Sequence, residues 1–242
     1  MLPLAKRRAL NRILRMADSE LTLDGWFTWM IRDPGPLSKT NPGINGLKMV
    51  VPHSAEGYWP HLQELLHAEG RRASWFCSNL KDGRCYQHYP IFTKTWTSGS
   101  AYPNENGLAW ENEGVKGEPL TDKQVDNCVR IIRAVSTLKG WEPRRPADTL
   151  DKTATCLEHN ECVRFGSSFT ECPSGRIPWD RIMEELMGPT KEEFQALFRL
   201  VLEIRQTLGA AVFDLAKQVY GDGDPRTDDL KSRVDALEAA DK

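Results

Sequence analysis

Short apolar runs bounded by turn residues alternate with amphipathic helical patterns in this 242-residue chain, which predicts an α/β (α+β) fold. Three stretches carry that prediction. LKMVV, residues 47–51, reads as a short strand buried on both faces. ASWFCSNLKDGRCYQHYP, residues 73–90, reads as a hairpin whose aromatic-bearing runs meet around Asp82-Gly83, a pair suited to a φ > 0 turn. Thr121 and Gln124 form a capping box ahead of Val125, Cys128, Ile131, Ile132 and Val135, the buried stripe of a helix.

The remaining elements follow in chain order. Residues 3–16 read as a short basic amphipathic helix with Leu10, Ile13 and Leu14 on one side, either a solvated surface helix or an attachment to membrane or wall. RDPGPLSKTNPGING, residues 32–46, is rich enough in Pro, Gly and Asn for a loop of successive turns. The LKMVV strand then delivers His53. In YWPHLQELLHAEG, Leu62, Leu65 and Leu66 have helical spacing and Gly70 is a stop, with His61 and His67 on the surface. A polar loop from Thr93 to Asn106 leads into GLAWENEG, another strand. TATCLEH, residues 153–159, reads as a strand ending in His159, and a Gly- and Ser-rich loop leads to a helix begun by Pro178 and Trp179, with Ile182, Met183 and Leu186 inward. From Thr190 a second capping box opens a long helical pattern to Tyr220, where Leu197, Val201, Ile204, Leu208, Ala211 and Leu215 form a seam that packs on the N-terminal helix, joins two copies of the chain or serves as a wall-targeting element. A short tail repeats Leu230, Val234 and Leu237.

Composition narrows the function classes. A formal charge of −2 gives no overall field toward nucleic acid, and 40% hydrophobic with 27% charged residues is ordinary for a soluble globular chain. No stretch approaches the roughly 18 uncharged apolar residues of a membrane span. Lys6, Arg7 and Arg8 interrupt the N-terminus before an apolar run forms, so a secretory signal is not expected. Synthesis in a reducing compartment makes a disulfide framework unexpected for the six cysteines. Cys77 and Cys85 flank the hairpin turn, close enough for a bridge to be considered, and Cys128 reads as core filling.

Chemistry concentrates in His53, His159 and Cys172. Two nitrogens and one sulfur suit zinc, and three protein ligands leave a fourth position open, as in catalytic sites. His53 taken alone reads first as a strand-end histidine that only hydrogen bonds, and second as a ligand. A rival is a local zinc knot of Cys156, His159 and Cys162. If TATCLEH is a strand, the odd spacing points Cys156 away from His159, which weakens that rival. Glu111 and Glu113 share a face if their segment is extended, either as surface carboxylates or as proton-transfer groups.

VVPHSAEG, the 73–90 hairpin, NGLAWENEG, LTDKQVDNCVRII, and LEH followed by TECPSGRIPW occur in an order that resembles the zinc-dependent N-acetylmuramoyl-L-alanine amidases of type 2, a family that includes phage endolysins and peptidoglycan recognition proteins. The resemblance spans residues 45–187. It implies a central mixed β-sheet flanked by helices, with Zn2+ at one end of the strands held by His53, His159 and Cys172. It implies cleavage of the amide between muramic acid and L-alanine in peptidoglycan, with Glu111 taking a proton from water and returning it to the leaving amine. Trp75 and Thr170 fall at positions beside that machinery, with Glu113 a second carboxylate candidate. The chain departs from the family's pattern in having Phe76 and Thr97 where many relatives carry histidines, and Thr170 where a lysine is frequent, so oxyanion stabilisation rests more heavily on the metal. A peptidoglycan-binding module without turnover is the alternative. The expected organisation is an N-terminal helix-and-loop extension (1–44), the zinc domain (45–187), the long helix (188–221) and a polar tail (222–242). The expected setting is synthesis in a host cytoplasm and action on the wall after release.

Overall fold

The structure is a computed structural model that describes residues 21–188. The N-terminal helix at 3–16, the helical pattern at 190–220 with its oligomer seam, and the tail lie outside the described residues.

The five-stranded sheet is mixed, in the order β1 (Ile31–Arg32), β5 (Cys85–Gln87), β4 (Cys77–Asn79), β7 (Gly107–Asn112), β3 (Met49–Ser54). All pairs are parallel except the β4–β5 hairpin. That hairpin turns through Gly83 at φ +93°, a conformation that side chains with a Cβ rarely adopt. β3 is buried along its whole length, as its continuous apolar run requires. It pairs with β7 over six residues, bringing His53 directly opposite Glu111. Residues in register on parallel neighbours project to the same face, so both reach the same side of the sheet.

Helix α1 (His61–His67) buries Leu62 and Leu66 and leaves His61 and His67 exposed. A short helix α2 (Ala101–Asn106) precedes β7. Helix α3 (Asp122–Lys139) starts at the Thr121–Gln124 capping box, with both reciprocal hydrogen bonds present, and ends at Gly140 in the left-handed conformation. Its stripe of Val125, Cys128, Ile131, Ile132 and Val135 is buried against Val50, Leu108 and Trp110 of the sheet and Ile182 of helix α4 (Trp179–Met187). Leu21, Phe27 and Met30 belong to the same core.

Two sequence expectations are corrected. The turn-rich stretch 32–46 contains strand β2 (Thr40–Ile44), which pairs antiparallel with β6 (Thr93–Thr95) inside the supposed polar loop. The pairing is interrupted between Asn41 and Ile44, where Pro42 and Gly43 break the ladder, so the pattern of a strand is absent from the sequence. TATCLEH is not a strand. Cys156 makes one parallel bridge to Val50, then the Glu161 carboxylate takes the Glu158 N–H and His159 begins a 3-10 helix, His159–Phe165. Cys77 and Cys85 are both free thiols, their Sγ atoms 3.5 Å apart in the core.

One buried polar chain braces the hairpin. Trp75 Nε1 donates to Ser78 Oγ at 2.9 Å, and Ser78 Oγ lies 2.9 Å from His88 Nε2. His88 Nδ1 in turn lies 3.4 Å from the Asp33 carboxylate. The hydrogen bond from His88, with a smaller contribution from Gln63, holds the Asp33 carboxyl below its ordinary range against the opposing cost of burial. A carboxylate with a depressed folded pKa contributes stability above its unfolded pKa of about 4 and loses it as pH falls through the folded value. Asp33→Asn is therefore expected to lower the urea midpoint at pH 7, with the gap to wild type closing below about pH 4.

Candidate metal centre

His53, His159 and Cys172 converge from three separate segments, with one donor atom from each lying within 4.8 Å of the others. Among the described residues this is the one such group of three or more, and neither Cys156 nor Cys162 belongs to it. The rival knot fails because Cys156 is buried among the α3-side residues and Cys162 among Met49, Val51 and Leu157.

Hydrogen bonds between the three segments fix the convergence. The Ser54 N–H donates to Cys172 Sγ at 3.2 Å, joining the end of β3 to the thiol loop. The Asn160 N–H donates to the Cys172 carbonyl at 2.8 Å, joining the second donor's segment to the third. The 3-10 helix that presents His159 is itself clamped. Arg145 grips Glu161 through two 2.9 Å contacts, lies 4.2 Å from the Trp179 ring centroid, and Trp179 Nε1 donates to Glu158. At the far side, Asn112 Nδ2 donates to the His53 carbonyl and its own Oδ1 accepts from Asn79. A buried network of Asn79, Asn112, Gln124 and Asn127 thus ties the strand ends to α3.

Burial lowers the His53 pKa well below the ordinary imidazole value, and the neighbouring His159 ring, 4.3 Å away between centroids, adds to the effect. Burial also lowers His159. Both imidazoles are therefore neutral, the form that coordinates a metal. Burial raises the Cys172 thiol, with the nearby Glu111 carboxylate adding to it. His53 Nε2 is buried without a hydrogen-bond partner, a state that costs free energy unless a ligand satisfies it. This orphaned nitrogen and the N, N, S donor set fit zinc.

Glu111 Oε1 stands 3.8 Å from His53 Nδ1, and its Oε2 is buried without a partner. Burial, reinforced by Glu56 and opposed by Arg176, pushes the carboxyl up to about 8. Glu111 borders a recess of about 100 Å3 with Trp75, Trp96 and Thr97. The recess adjoins a groove of about 770 Å3, also lined by Trp96 and Thr97, which holds His159, Phe169 and Thr170.

Other predicted site residues take supporting positions. Thr170 Oγ1 accepts from the Cys172 N–H at 3.1 Å and orients the thiol loop. The Trp75 indole is committed to Ser78, with its ring edging the Glu111 recess. Glu113 does not join Glu111. Its two oxygens accept from the Trp59 and Lys81 backbone N–H groups, so it ties loops together.

Arg176 was not singled out by sequence. Only 4% exposed, it donates to Ser54 Oγ, to the Asn112 and Glu113 carbonyls and to the Glu118 carbonyl, bridging the ends of β3 and β7. Its one signal is a lone cation between Gly175 and the apolar start of α4. Arg176→Met strands those acceptors and is expected to destabilise the fold by about 3 kcal/mol in urea unfolding.

No family model and no curated protein matches the chain. Among solved structures it is similar to an endolysin N-acetylmuramoyl-L-alanine amidase, LysCS from Clostridium intestinale URNW, at 16% identity and a TM-score of 0.45, over 65% of this chain and 94% of that one. It is similar to PlyL at 14% identity and a TM-score of 0.49, over 66% and 97%. It is similar to a mutant endolysin from Bacillus subtilis at 17% identity and a TM-score of 0.49, over 65% and 97%. What the centre can do is carried by its own side chains. The solved structures to which this chain is similar include N-acetylmuramoyl-L-alanine amidases and endolysins.

Proposed function

We propose that this chain is a zinc-dependent N-acetylmuramoyl-L-alanine amidase, hydrolysing the amide between the lactyl group of muramic acid and L-alanine in bacterial peptidoglycan. In this reading it is a phage endolysin or virion-associated lysin, made in a host cytoplasm and acting on the wall after release. One observation carries the proposal: two neutral imidazoles and a thiol share a donor cluster within 4.8 Å, with a buried carboxyl 3.8 Å from the first imidazole.

His53, His159 and Cys172 would hold the ion, which when bound would supply Lewis acidity to a carbonyl oxygen. The groove beside His159 takes the peptide-bearing sugar, with Trp96 and Phe169 offering aromatic surface to its apolar faces. Glu111 moves the proton. Its free Oε2 accepts a proton from the attacking water and delivers it to the departing nitrogen, because an amine leaves poorly until protonated. Trp75 and Trp96 wall the recess and limit bulk water around that carboxyl. Thr170 keeps the Cys172 loop in register.

Mass spectrometry of purified muramyl peptides after incubation with the full chain and zinc tests the proposal. Release of intact stem peptides beginning with free L-alanine, abolished by a chelator, is the expected result. Binding without any such release would identify a peptidoglycan-binding module instead and overturn the hydrolase reading.

A further inference from the structure

A second cavity, of about 490 Å3, lies between the 3-10 turn Leu37–Lys39 and the chain that leaves α1. Its wall includes Ser38, Lys39, His67, Glu69, Arg71 and Arg72. Lys39 is only 6% exposed, rare for a lysine lacking a carboxylate partner. Among the described residues its ammonium donates to one acceptor, the Leu65 carbonyl at 3.1 Å, although it carries three donors. The Leu65 contact caps the last turn of α1, which explains one donor but not the approach of further cations. Burial lowers the Lys39 pKa, and the charge of Arg71 lowers it further.

Arg71 and Arg72 are exposed, and among the described residues neither forms an ion pair. Arg72 lies 5.7 Å from the Trp96 ring centroid, and among the described residues its guanidinium makes no hydrogen bond. Glu69 is the one carboxylate on the wall, and among the described residues it forms no ion pair with these cations. Three cations around a concavity that carries a single carboxylate leave it net positive, and a multidentate oxyanion relieves their repulsion while accepting charge-assisted hydrogen bonds.

We propose that Lys39, Arg71 and Arg72 form a binding pocket for an oxyanion, a phosphate or carboxylate group. Arg72 also lines the groove that holds His159, so a ligand in that groove can place an anionic substituent in this pocket. Arg71 also lines the recess that holds Glu111, so the pocket adjoins the proposed catalytic site, but anion binding there does not require hydrolysis.

Titration of the full-length chain with inorganic phosphate and, separately, with succinate, followed by amide NMR shifts, tests it. Shifts confined to residues 37–39 and 67–72, saturating at about millimolar concentration, are expected. Arg71→Ala, at an exposed position, is expected to weaken binding at least about fivefold. Lys39→Met is expected to do the same, but Lys39 also caps α1, so Arg71→Ala decides. Saturation by phosphate alone assigns a phosphate ligand, and saturation by both assigns a general oxyanion pocket. Shifts absent, confined to the surroundings of His53, His159 and Cys172, or unchanged in Arg71→Ala would overturn the proposal.

Discussion

Cys172→Ser is expected to abolish stoichiometric zinc binding and reduce amide hydrolysis to background. Sulfur is the soft member of the donor set, and a neutral serine hydroxyl replaces neither its charge nor its softness. Disturbing a ligand's neighbours already costs about 10–100-fold in metal affinity or activity, so loss of a ligand is expected to exceed about a hundredfold. The fold is expected to survive, because the loop is also held by the Asn160–Cys172 backbone hydrogen bond and by Arg176. Metal analysis of the purified variant, beside a circular dichroism melt, checks both halves. The matching substitution Cys162→Ser is expected to leave zinc stoichiometry at wild type, since Cys162 lies in the core away from the donor cluster. Loss of zinc from Cys162→Ser with retention in Cys172→Ser would move the metal to the other cysteine and remove the hydrolase proposal.

Glu111→Gln is expected to separate metal binding from turnover. Gln keeps the shape and some hydrogen bonding of the side chain but cannot accept and return a proton at the pH of the reaction. Proton transfer by a positioned side chain contributes about 10²–10⁴-fold, and the variant should lose kcat in that range with zinc content unchanged. Its stability is expected to match or exceed wild type, because a buried carboxyl whose pKa is pushed up to about 8 strains the fold when ionised. Steady-state hydrolysis and metal analysis on the same preparation measure the two effects together. Wild-type kcat in Glu111→Gln would assign the proton transfer elsewhere. Glu113 would be a poor substitute, with both oxygens already bonded to backbone N–H groups.

The legible parts of this protein have their determinants close together in sequence. The α3 capping box lies within four residues, the hairpin turn is marked by Asp82-Gly83, and the buried strand that delivers His53 is one unbroken apolar run. The donor cluster was legible for a different reason: His53, His159 and Cys172 are side chains whose chemistry is uncommon enough to stand out. What escaped depends on partners remote along the chain. β2 exists only because β6 pairs with it, and its TNPGI sequence argues against a strand. The backbone at His159 was misread because a capping carboxylate, Glu161, outcompetes strand pairing after a single bridge. Arg176 resembles any surface arginine in sequence, and its burial follows from four oxygen acceptors supplied by Ser54, Asn112, Glu113 and Glu118.

The three donors stand far apart along the chain and meet only after β3, the 3-10 helix and the thiol loop have docked. An unfolded polypeptide does not hold His53 beside His159 and Cys172, so by mass action a bound ion would act on the folding equilibrium as well as on activity. At a free concentration about a hundred times the dissociation constant, occupancy adds about 2.7 kcal/mol to the native state. With the proposed zinc bound, the lifetime of the molecule among proteases would become a function of the zinc around it.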